Sequence, residues 1–143
     1  MKAIIIEDET AALSSLKAVL QQNSVVEIEV IAELESIEDS VEWFQCSLQP
    51  DLIFMDIHLA DGLAFKIFEQ VDIVAPVVFT TAYDEYAVEA FRVRSIDYLL
   101  KPVARKDLED AVRKAIQKLE EQNTIEIFKE EDDEMYQLFR EIN

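Results

Sequence analysis

Glycine is almost absent from this chain. Gly62 is the sole one in 143 residues, beside three prolines, one cysteine, one histidine and one tryptophan. So little glycine and proline excludes a collagenous, linker-rich or low-complexity protein. The single cysteine, Cys46, permits no internal disulfide and fits a reducing compartment. Apolar runs are strand-sized, far short of the roughly 20 residues needed to span a bilayer, so no membrane segment is expected. The amino terminus turns acidic by Glu7 without a cleavage-site pattern, so no signal peptide is read and a cytoplasmic location is expected. Basic residues are scarce as well: 13 Lys and Arg stand against 31 Asp and Glu, for a formal net charge of −18. That charge repels nucleic-acid phosphates, so direct DNA binding by this chain is not expected. What the chain has in quantity is apolar residues, at 50% of its length, enough for one domain with a sizeable core.

Those apolar residues fall into short runs alternating with stretches of helical period over residues 1–121. Strands are expected at 2–6, 25–33, 51–56, 76–81 and 97–100. Leu13, Leu16 and Leu20 make one helical face, and Ser36 with Asp39 marks a capped helix start that ends before Pro50. The clearest helix is 105–121, with Leu108, Ala111, Val112, Ala115, Ile116 and Leu119 in one stripe. Such alternation predicts an α/β fold, a flavodoxin-like (βα)5 three-layer sandwich with a parallel sheet in the order 2-1-3-4-5. Ligands in such sheets sit beyond the carboxyl ends of the strands. Residues 1–122 are read as this domain. Residues 123–143 are read as an acidic linker or tail containing Glu130-Glu131-Asp132-Asp133-Glu134 and a short amphipathic stripe, Met135, Leu138, Phe139 and Ile142.

The strands release an unusual set of side chains at their carboxyl ends. Lys2–Ile6 runs into Glu7, Asp8 and Glu9; Leu52–Met55 into Asp56; Val77–Phe79 into Thr80 and Thr81; and Tyr98–Leu100 into Lys101-Pro102. An ionised carboxylate after a buried strand is costly to desolvate unless something there needs it. An aspartate can attack phosphorus to form an acyl phosphate, and a hard cation must then bridge the two anions. Magnesium suits that task, binding through one or two carboxylates plus phosphate. Asp8 and Asp56 are candidate direct Mg2+ ligands, Glu7 a ligand directly or through water, and the main-chain carbonyl of His58 a third protein ligand. Lys101 and Thr81 would neutralise and hydrogen-bond the phosphoryl oxygens.

As a set, Glu7-Asp8, Asp56, Thr81-Ala82, Tyr98 and Lys101-Pro102 resemble the receiver domain of two-component response regulators. The stretch from Phe79 to Ala87, followed by Ser95 to Pro102, is similar to the LytR/AlgR subgroup, whose members usually carry a carboxy-terminal LytTR DNA-binding domain. The resemblance covers residues 1–121 and departs at Glu7, where many relatives have aspartate. It implies phosphorylation of Asp56 by a sensor histidine kinase, a magnesium-dependent reaction, and a conformational switch through Thr81 and Tyr98 that controls an output. It also implies a cis Lys101-Pro102 bond. The output face would carry a helix at 84–93, the strand 97–100 and the helix 105–121, a face of 84–121 through which a homodimer could form, and transcription control would act through a DNA-binding domain absent here. Excision from a longer regulator is favoured over a stand-alone receiver. The chain would be a switch taking part in its own phosphorylation and dephosphorylation rather than a turnover enzyme.

Plainer readings compete at single positions. Asp56 alone could cap a turn, and Glu9 is expected to be merely solvated. Alternation points Thr80 away from the site if Thr81 faces it. Tyr98 could be a half-buried core aromatic. The His58 side chain is expected to have no role, Trp43 and Cys46 to face the core from the second helix, and Gly62 to permit a tight turn. Three other functions fit less well. A haloacid-dehalogenase-like phosphatase wants an aspartate where His58 stands. In a flavodoxin-like electron carrier, Glu7-Asp8-Glu9 would repel the flavin phosphate. A pseudo-receiver would not need the intact acid, hydroxyl and lysine set.

Overall fold

The computed structural model describes residues 1–131, with side-chain surroundings through Thr124. In chain order the elements are β1 (Lys2–Ile6), α1 (Thr10–Gln22), β2 (Glu29–Leu34), α2 (Ile37–Cys46), β3 (Leu52–Met55), β4 (His58–Leu59), β5 (Gly62–Leu63), α3 (Phe65–Gln70), β6 (Val77–Thr81), α4 (Ala87–Arg92), β7 (Asp97–Leu100) and α5 (Arg105–Glu131). The main sheet has five strands in the order β2-β1-β3-β6-β7, which is the expected 2-1-3-4-5 once the small hairpin β4–β5 is set aside. Its strand pairs are all parallel.

The period-2 alternation of each strand sorts side chains to two helical layers. Ala3 and Ile5 of β1 face one way with Leu52, Phe54 and Val78, packing under Leu16 and Leu20 of α1 and Leu108, Ala111, Val112 and Ala115 of α5. Ile4 and Ile6 face the other way with Ile53, Met55 and Phe79, covered by Ile37 and Phe44 of α2, Ile67 of α3 and Ala90 of α4. The central strand β3 is buried on both faces, which is why it reads as an unbroken apolar run.

Four expectations need correction. The second strand begins at Glu29, not at residue 25. Asn23 accepts the N–H groups of Val25 and Val26 at 3.1 and 3.3 Å, so those valines wrap a turn and pack against the α1/α5 core instead of extending. Cys46 is exposed at the end of α2, whereas Trp43 packs on the core as expected. The 84–93 helix is the shorter α4. Finally, α5 continues ten residues past 121, through 122 to Glu131, because no glycine or proline interrupts it. The stripe Met135, Leu138, Phe139 and Ile142 lies outside the described residues.

Ser36 caps α2 as expected, accepting the Asp39 N–H at 3.0 Å. Asp61 adds a second cap: its two carboxylate oxygens accept the N–H groups of Ile37 at 2.8 Å and Glu38 at 3.1 Å. The Ile37 bond is the main reason its carboxyl lies below the usual aspartate range. Gly62 makes the tight hairpin turn with φ of 138°, and a Cβ there would stand 3.3 Å from Ile37 Cδ1.

Candidate functional site

Strand register assembles the site. Ile6 pairs with Met55, so Glu7 and Asp56 leave neighbouring strands side by side, and the Asp56 N–H donates to the Ile6 carbonyl at 2.8 Å. Thr81 pairs with Leu100, and the Lys101 N–H donates to the Thr81 carbonyl at 2.7 Å. The central strands end level, so an acid pair, an aspartate, a hydroxyl and an ammonium from distant parts of the chain meet at one edge.

Lys101 ties that edge together. Its ammonium donates to Asp56 Oδ2 at 2.9 Å and also to Glu7 Oε1. Asp56 Oδ1 accepts the N–H of Ile57 at 2.7 Å, and Glu7 Oε2 that of Glu9 at 3.2 Å. Glu7 and Asp56 are only 4% and 6% exposed. Burial, reinforced by the neighbouring Asp56 charge, pushes the Glu7 carboxyl up to about 7 despite its hydrogen bond from Lys101. For Lys101, burial disfavours the ammonium, but the hydrogen bonds to Glu7 and Asp56 outweigh it and hold the group above its ordinary value.

Glu7, Asp8 and Asp56 each place a carboxylate oxygen within 4.8 Å of the others, with Asp8 the most open. An all-oxygen, multiply anionic donor set of this kind fits a hard dication such as Mg2+. Glu9 is exposed and outside this cluster, as expected. Thr80 is buried and lines a groove with Ala11, Ala12 and Ser15 of α1, beside Lys101. Thr81 is fully buried, and its Oγ1 accepts the Tyr83 N–H at 3.4 Å. Tyr98 is half-buried against the α3-side core, and its hydroxyl donates to the Tyr83 carbonyl. Both expected switch residues therefore hold the main chain of Tyr83, a residue to which the sequence reading assigned no role. The Lys101-Pro102 peptide is cis.

His58 differs most from its sequence reading. It is half-buried, its ring centroid 4.5 Å from that of Tyr83 and 5.1 Å from that of Tyr86, and its Nε2 finds no hydrogen-bond partner among the described residues. Nothing local in the sequence signals this, because Tyr83 and Tyr86 reach it only through the β3–β6 pairing.

Comparison with known proteins agrees with the geometry. Residues 3–113 match the family model described as the response regulator receiver domain. The sensory transduction protein LytT of Bacillus cereus is 35% identical over 117 residues, 80% of this chain and 46% of that protein. The transcriptional regulatory protein LytR of Staphylococcus aureus is 36% identical, with the same coverages. The chain thus spans about half the length of these curated relatives. Among solved structures, the response regulatory domain of protein mrkE from Klebsiella pneumoniae superposes with a TM-score of 0.71 at 31% identity, over 85% of this chain and 99% of that one.

Proposed function

The chain belongs to the response regulator receiver family, of the LytT/LytR type, and on that premise we propose that Asp56 is its phosphoacceptor. The observation that carries the proposal is the shared ammonium: Lys101 bonds Asp56 beside an acid pair at the ends of adjacent strands. A carboxylate oxygen of Asp56 attacks the phosphorus of a phosphohistidine on a sensor histidine kinase. The P–N bond breaks and an acyl phosphate forms; water later releases phosphate and restores the carboxylate. Glu7, Asp8 and Asp56, with the His58 carbonyl, would hold Mg2+. When bound, it supplies the positive charge that lets carboxylate and phosphoryl oxygens approach. Lys101 keeps its contact with the Asp56 side chain and neutralises charge developing on a phosphoryl oxygen. Thr81 turns its hydroxyl from the Tyr83 N–H to another phosphoryl oxygen, and Tyr98 follows the displaced loop.

We assign the receiver to residues 1–122 and the segment toward an output to 123–143. The face of 84–121 is proposed as the output and homodimer surface. It exposes apolar groups at Val88, Phe91 and Leu100, with Phe91 83% exposed. DNA contact would belong to an output domain outside this strongly acidic chain. Among the described residues no helix is long and apolar enough to cross a membrane. A cytoplasmic location is proposed together with the family reading. The activity is that of a self-modifying switch.

The test is binding of magnesium and beryllofluoride, an acyl-phosphate mimic, followed by fluorine NMR. Wild type should give one bound signal and Asp56→Asn none. An equal signal from both would place the phosphoryl site elsewhere.

A further inference from the structure

We infer that the His58 ring is a positioning residue of the switch, tying the phosphoacceptor loop to the β6–α4 loop through Tyr83 without passing through Thr81. The inference rests on the phosphoacceptor reading of Asp56.

Three contacts converge on Tyr83. Its N–H donates to Thr81 Oγ1, its carbonyl accepts the Tyr98 hydroxyl, and its ring lies 4.5 Å from the His58 ring, tilted by 53°. Tyr86 meets the same imidazole edge-on, at 5.1 Å and 71°. The main chain of His58 is fixed by the hairpin, where it pairs with Leu63, and by the Ala64 N–H bond to the Ile57 carbonyl at 2.8 Å. A displacement of the Asp56 loop therefore carries the imidazole with it. Tyr83 is 48% exposed, so the core does not hold its ring; His58 and Tyr86 do.

Among the described residues the buried Nε2 has no hydrogen-bond partner, so the contacts of the ring are the aromatic ones. A buried nitrogen without a partner is destabilising, and an all-carbon ring of the same shape would fit without that cost. A rigid ring set against two tyrosines, tilted to one at 4.5 Å and edge-on to the other at 5.1 Å, makes contacts that small shifts of the loop disturb. Coupling by packed side chains needs such a contiguous contact.

The experiment uses the full chain with 3-fluorotyrosine, assigning the Tyr98 resonance by Tyr98→Phe, with and without magnesium and beryllofluoride. In wild type the adduct displaces the Tyr98 resonance. Compared with wild type at equal adduct occupancy, His58→Ala, and His58→Leu which keeps the volume without a ring face, should retain about half or less of that displacement. His58→Phe should restore it in full and raise Tm, since the ring stays and the unpaired nitrogen goes. Full displacement in both His58→Ala and His58→Leu, with adduct formed, overturns the role of His58 and leaves Asp56 untouched. No adduct in wild type overturns both readings.

Discussion

The two helical layers of this sheet are built differently. On one side stand α1, of 13 residues, and α5, of 27, whose contact residues Leu108, Ala111, Val112 and Ala115 are all fully buried. On the other stand α2, of 10 residues, and α3 and α4, of six each. There α4 leaves Val88 and Phe91 exposed at 60% and 83%. It ends in a Schellman motif closed by a non-glycine: Arg94 has φ of 61°, with Arg94 N–H to the Phe91 carbonyl at 3.1 Å and Ser95 N–H to the Ala90 carbonyl at 3.3 Å. Local stability follows the apolar contacts an element buries. The α1/α5 layer is thus the scaffold, and the α4 region, carrying the Tyr83 loop, is the part that can move at low cost. A switch needs both: a fixed edge to align Asp56 and Lys101, and a weakly held element to respond.

The largest effect should come from the scaffold. Leu108→Ala should lower unfolding free energy by about 2–5 kcal/mol in urea melts, while Phe91→Ala should stay within about 0.5 kcal/mol. Equal losses would erase the distinction between the layers. An intermediate effect should come from the seam, at Glu7. Its folded value of about 7 lies above the ordinary 4.5, so its favourable contribution is complete below about 4.5 and gone above about 7. Without added metal and with a chelator present, the Tm of Glu7→Gln relative to wild type should therefore rise as pH goes from 4.5 to 7, then level off. A difference that stays flat across that window would mean that the carboxyl is not buried against its own charge. The smallest effect should come from the α4 end. Arg94→Gly removes left-handed strain but adds freedom to the unfolded chain, for a net gain of about 0.5 kcal/mol. Faster amide exchange in 87–92 of that variant would contradict the reading of Arg94 as a strained cap.

Glu7, Asp8, Asp56, Thr81 and Lys101 could be read directly because each follows an apolar run, and in a parallel sheet run ends are strand ends. The start of β2 was misread for the same reason in reverse: Val25 and Val26 are apolar but serve a turn built by the Asn23 side chain. The Asp61 cap has no local signal, since its partners Ile37 and Glu38 are over twenty positions away. Cys46 is exposed although cysteine is among the residue types most often buried, because residue type alone does not say which way a helix position faces.

By itself, then, the sequence determined the α/β alternation and the residue types at the strand ends, because hydrophobic period and chain-local charge are written in neighbouring positions. Only the tertiary structure decided how those ends are used. Lys101 is shared between Glu7 and Asp56. Thr81 and Tyr98 both bond the Tyr83 main chain, and the His58 ring lies tilted against the Tyr83 ring at 4.5 Å. Apart from the Thr81–Tyr83 bond, those contacts join residues 15 to 94 positions apart, and their geometry depends on strand register and helix packing that no local pattern encodes.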